Sequence, residues 1–144
     1  MTSATTITKT VFLAAPRTTV WTFLTDKDRL GTWFYPATAD LALGQDYVLM
    51  QTPADGKPVR QCWGRVLELE PPSTLKYTFT IKPLNGVMTT VSWRLEEVLG
   101  GTQLTLVHEG IGEMGDAALG LLTALDAGWD RHLGNLRGAC SSKT

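Results

Sequence analysis

The chain has 144 residues, 43% of them hydrophobic and 19% charged, so it is long enough to bury a core without disulfide staples and lies far from disordered or collagen-like compositions. A formal net charge of -1 leaves no basic stripe to release counterions from a polyphosphate, and nucleic acid is not an expected partner. No stretch approaches the roughly 18 consecutive apolar residues of a membrane span, so no membrane association is expected either.

Ile7, Lys9, Val11 and Leu13 alternate with Thr8, Thr10, Phe12 and Ala14, a period of two that predicts a strand. Pro16 ends it and opens a helix running to Thr25, because proline suits a first helical turn and Val20, Trp21, Phe23 and Leu24 form an apolar stripe. Leu30, Trp33 and Phe34 recur at three and four residues, which predicts a second short helix over Asp26 to Trp33, before Pro36. From Ala37 to Gly110 the texture changes to six short strands, cut by turn residues at Gly44, Pro53 to Pro58, Pro71-Pro72, Asn85-Gly86 and Gly100-Gly101.

Leu75, Tyr77, Phe79 and Ile81 alternate with lysines and threonines, and Val91, Trp93, Leu95 and then Leu104, Leu106, His108 repeat the pattern. Three successive strands therefore share one apolar sheet face. Val59 to Glu70 changes phase within itself, and a bulge at Gly64 brings it into register. A final helix is predicted over Asp116 to Ala139, where Leu122, Leu125, Trp129, Leu133 and Leu136 fall at helical spacing. A sheet with one apolar face and one long amphipathic helix pack most simply when the sheet curls around the helix, in a single α+β domain over residues 1–144.

Cys62 and Cys140 are too few for a disulfide framework, and Cys62 reads as a small semi-buried hydrophobe rather than a nucleophile. The opening residues, MTSATTITKTVF, carry no basic start followed by a long apolar run. Cytoplasmic residence is the expectation.

Gly110-Ile111-Gly112-Glu113-Met114-Gly115 spells a dinucleotide fingerprint after a strand and before a helix. A dinucleotide fold also needs a second parallel strand with an acidic residue about 20 residues on, and here one helix ends the pattern; the loop is read as a hinge and no cofactor is expected. His108-Glu109 is half of a zinc-protease motif, but the residue four beyond His108 is Gly112, so no metal site is expected. His108 shares its face with Leu104 and Leu106, where it serves either as a hydrogen-bonded core histidine or as a group that orients a guest or exchanges a proton with it. His132 lies one residue from Leu133 of the helix stripe and borders the interior or the surface. Trp33, Phe34, Tyr35 and Pro36 form an aromatic cluster that either gates a cavity mouth or packs in the core.

The run Ala15 to Asp26 with Trp33-Phe34, then Gly64 to Pro72 with Leu75, Val91 to Leu95, Gly101 to Gly110, and Gly128-Trp129 with His132, Leu133 and Leu136, resembles the family of activator of heat-shock-protein-90 ATPase homologues, within the START-like (SRPBCC) superfamily. The blocks stand in the family's order over nearly the whole chain; the turn where relatives often carry a glycine pair here reads Gly44-Gln45. The resemblance implies a helix-grip fold, a curved antiparallel sheet around a long C-terminal helix. It implies no catalytic residue, since members include stand-alone bacterial domains and a eukaryotic co-chaperone domain.

The leading functional expectation is a cavity between sheet and C-terminal helix, lined by Tyr77, Phe79, Trp93, Leu106 and Trp129, with His108 and Arg65 as its polar groups. Trp33, Phe34 and His132 would complete this ligand-binding set around a small apolar or amphipathic molecule. The rival readings are a cyclase, dehydratase or hydrolase that uses His108, and a co-chaperone-like domain that grips a protein partner. A hollow interior above roughly 300 Å³ favours a ligand, a packed one a partner.

Overall fold

Six strands form one antiparallel sheet in the order β1-β6-β5-β4-β3-β2, in a computed structural model that describes residues 5–141. The strands are β1 (Ile7–Leu13), β2 (Asp46–Gln51), β3 (Val59–Glu70), β4 (Thr74–Phe79), β5 (Thr89–Val98) and β6 (Gly101–Glu109). Two short helices, α1 (Arg17–Thr25) and α2 (Lys27–Leu30), follow β1, and α3 (Ala118–Ser141) closes the chain. Residues 1–4 of the opening stretch lie outside the described residues. Among those described, no helix is long and apolar enough to cross a membrane.

The shared apolar face is present as the alternation predicts. Leu75 pairs with Trp93, Tyr77 with Val91, Trp93 with Leu106 and Leu95 with Leu104, and all seven are buried. The helix α3 lies across that face through Trp129, Leu133 and Leu136, and α1 adds Val20, Phe23 and Leu24. Lys9, the polar member of the inward row of β1, reaches Asp126 and Asp130 of α3 at 2.7 and 3.0 Å. It ties the edge strand to the helix.

Three expectations change. Five strands, not six, follow the short helices, because the stretch after Ala37 makes only an isolated bridge to Leu49. The second helix is one turn, Lys27–Leu30, capped by the Asp26 carboxylate accepting from the Asp28 and Arg29 amides; Trp33 lies beyond it. The bulge in β3 falls at Leu67 instead of Gly64, with a second shift in the β2 pairing beside Leu49. The extra residue at Leu67 keeps Cys62 and Val66 inward while turning Leu69 inward again, and it leaves Leu67 itself exposed.

Gly64 has a different reason to be glycine. A Cβ there would stand 2.0 Å from the Thr78 carbonyl oxygen of the next strand. Tyr47 pairs across from Gly64, and its hydroxyl donates to that same carbonyl at 2.6 Å, so a ring covers the bare backbone.

Candidate functional site

The space expected beneath the sheet is largely filled. Trp93 donates its indole N–H to the Tyr77 hydroxyl at 2.9 Å and meets Trp33 and Trp129 edge-on at 5.9 and 5.7 Å between ring centres. Leu106 is fully buried below it, and Trp33 is anchored by its N–H on the Phe23 carbonyl at 2.7 Å. Tyr77, Trp93, Leu106 and Trp33 are therefore core.

What stays open is a cleft of about 260 Å³ at one end of α3, below the roughly 300 Å³ of a fully hollow interior. Phe79 and Trp129 form its inner wall, Phe34 and Tyr35 its side, and the far ends of β3 and β4 its rim. Leu121, Leu125, Gly128 and His132 recur at three and four residues, so α3 turns one face toward it. Gly128 shapes that face by lacking a side chain: a Cβ there meets nothing within 4 Å. Aromatic contacts hold the wall rigid, with Phe34 5.1 Å from Trp33, 5.4 Å from Trp129 and 4.7 Å from His132.

Each histidine takes one of the two roles considered for it: His108 the core role, His132 the one that borders the open space. The Trp129 indole N–H donates to His108 Nδ1 at 3.0 Å. That nitrogen must carry the lone pair, so the hydrogen sits on Nε2 and is given to Thr89 Oγ1 at 2.8 Å, while the Thr89 hydroxyl donates to the Phe79 carbonyl at 2.6 Å. Both imidazole nitrogens are thus consumed inside the protein. Burial alone pulls the His108 pKa down to about 4, and the ring does not line the cleft. In this geometry His108 has no free nitrogen to offer a guest; it is a hydrogen-bonded core histidine.

His132 is half-buried on the cleft wall, with Nδ1 3.4 Å from the Trp33 carbonyl and its ring between Phe34 and Tyr35. Burial lowers its pKa, partly offset by the Trp33 carbonyl. The carbonyl can only accept, so Nδ1 holds the hydrogen and Nε2 keeps its lone pair.

Arg65 does not join the site. It stands exposed on the outer side of β3, paired with Asp46 at 3.0 Å, because the inward parity of that strand belongs to Cys62 and Val66. Cys62 borders the cleft from below, where burial pushes its thiol well above the ordinary range and keeps it protonated. In the glycine-rich loop, Gly110 takes positive φ before the short 3-10 segment Ile111–Ala117, and Gly115 takes positive φ within it, at a kink. It joins antiparallel β6 to α3, and the described sheet has no parallel crossover of the kind a dinucleotide fold requires. No cluster of three or more His, Cys, Asp or Glu side chains placed to hold a metal occurs among the described residues.

Sequence reasoning placed Tyr35 in the aromatic cluster at a cavity mouth but did not single out Gln61, Leu125, Gly128 and Arg131 as site residues. Leu125 and Gly128 share their helix face with His132, a spacing that could have joined them; nothing in the sequence marks Gln61 or Arg131.

Residues 14–140 match the family described as Activator of Hsp90 ATPase homolog 1-like protein. The solved structures similar to the chain include CalU16 from Micromonospora echinospora, 25% identical, with a TM-score of 0.75 over 96% of this chain and 77% of that one. DynU16, a protein of the dynemicin biosynthetic locus, is 24% identical with a TM-score of 0.78, and the chain spans 48% of its length. Protein MLL2253 from Mesorhizobium loti, 20% identical with a TM-score of 0.79, is matched over 96% of this chain and 98% of that one. No curated protein sequence matches significantly.

Proposed function

Since the chain belongs to the Activator of Hsp90 ATPase homolog 1-like protein family and has the helix-grip fold of the SRPBCC superfamily, we propose that it binds a small apolar or amphipathic molecule in the cleft beside α3. The observation that carries this reading is the cleft itself, a concave space walled by Phe34, Phe79 and Trp129 next to an interior that is otherwise packed. The packed interior by itself favours a protein partner, and the cleft falls short of a hollow interior; the ligand reading stands on the cleft's concavity, apolar walls and few polar groups, which small-molecule sites share. At about 260 Å³ the cleft suits a one- or two-ring compound rather than a sterol or a long acyl chain, which need the upper part of the usual range of roughly 300–1,000 Å³.

The test is a two-dimensional NMR titration with 2-naphthalenemethanol. Shifts should concentrate on Phe34, Trp129 and His132. They should vanish in Gly128→Leu, at a position on the cleft face where an added Cβ meets nothing within 4 Å, while the variant keeps its fold and does not lose thermal stability. No saturable shifts in the wild type, or unchanged binding by a folded Gly128→Leu, would remove the cleft as a binding site.

A further inference from the structure

We infer that the occupant of this cleft is an anion: a small ring compound bearing a carboxylate, with the ring against Phe34 and Trp129 and the carboxylate at the mouth between the Arg131 guanidinium and the Tyr35 hydroxyl. The inference rests on the binding reading above and narrows it to a chemical class.

The charges around the cleft carry the argument. Its polar lining consists of Tyr35, Gln61, Arg131 and His132, with no aspartate or glutamate among the described lining residues. Three of these four present hydrogen-bond donors, and Arg131 adds a permanent positive charge. Charge on α3 is sorted by face. Asp126 and Asp130, one turn apart, are held by Lys9 on the β1 side. Arg131 emerges on the cleft side as the one Lys or Arg among the described lining residues, and, like several other described cations, it makes no ion pair, so no carboxylate of the described residues neutralises it there. Burial raises the Tyr35 pKa and keeps its hydroxyl protonated, with Arg131 a partial offset, while burial and then the Arg131 charge both oppose a cation on His132. An uncompensated cation above an apolar floor attracts a carboxylate, and planar guanidinium suits that group's geometry. An ammonium-bearing guest would meet Arg131 with nothing to offset the repulsion.

Three ring-matched ligands test this: 2-naphthoate, 2-naphthalenemethanol and 2-naphthylmethylammonium, titrated at pH 7.5 in low salt into the wild type and Arg131→Gln. The expected order is carboxylate, alcohol, ammonium, with the carboxylate about five-fold or more tighter than the alcohol, a ratio that shrinks as salt is added. In Arg131→Gln the ratio should fall to within about two-fold. Equal affinity of carboxylate and alcohol in the wild type, or a preference that survives in Arg131→Gln, overturns the anion inference while alcohol binding leaves the cleft reading standing. Silence of all three ligands takes down both.

Discussion

At His108 a proton has nowhere to go. Nδ1 already accepts the Trp129 indole hydrogen, so protonating it would set two N–H groups against each other in a dry interior. The folded-state pKa of about 4 lies below the ordinary 6.5, and between those values the unfolded chain holds a proton that the folded chain does not. Stability is therefore complete above pH 6.5 and declines as pH falls toward 4, by about 3 kcal/mol from this residue. His132, also lowered by burial, acts in the same direction. Denaturant titrations at pH 7 and pH 4.5 should show the loss, and His108→Leu should lose most of the difference between the two; an equal acid loss in that variant would assign the effect to other groups. Long-range proton–nitrogen spectra should find the hydrogen on Nε2. Which histidine would be free was not legible in the sequence, since both sit beside apolar rows and only the folded partners, Trp129 and Thr89 for one and a lone carbonyl for the other, separate them.

Among the elements, the strands with strict alternation were the legible ones. Leu75 to Phe79, Val91 to Leu95 and Leu104 to His108 each put every second residue inward, and their pairing keeps that parity. β3 escaped the pattern because a single extra residue, Leu67, resets the phase midway. The β5–β6 hairpin shows a subtler displacement: Gly100-Gly101 reads as the turn, but Val98 pairs with Gly101 and the two-residue loop is Leu99-Gly100, both at positive φ, 52° and 85°. Gly101 belongs to β6, where a Cβ would come within 2.6 Å of the Leu13 carbonyl oxygen. Leu99 is fully exposed in a backbone conformation that costs an ordinary residue about 1–2 kcal/mol. Leu99→Asn supplies the residue such turns prefer, and thermal denaturation should show a gain of about 0.5–1 kcal/mol. A loss would mean that the positive-φ turn does not carry the cost assigned to Leu99.

For the molecule as a whole, Trp129 is where helix, sheet and aromatic segment meet, through Phe34, Phe79, Trp93 and His108. Trp129→Ala is expected to cost about 3–5 kcal/mol in a single denaturant transition, since it opens a cavity and strands the His108 acceptor. A loss under about 1 kcal/mol would show that α3 does not close the core. The same convergence explains why the site was only partly readable: aromatic rows announce a greasy interior, but whether it is hollow depends on how Trp33, Trp93 and Trp129 interlock across elements far apart in sequence. The outermost pairing of the sheet carries one more consequence. β1 is made first and its neighbour β6 last among the strands, with Ile7 opposite His108. On a ribosome the early strand waits, its apolar row uncovered, until nearly the whole domain has been synthesised. A nascent chain stalled before β6 lacks that partner and His108, and α3 with Trp129 is made later still, so the apolar row of β1 stays uncovered until the last third of the chain is synthesised.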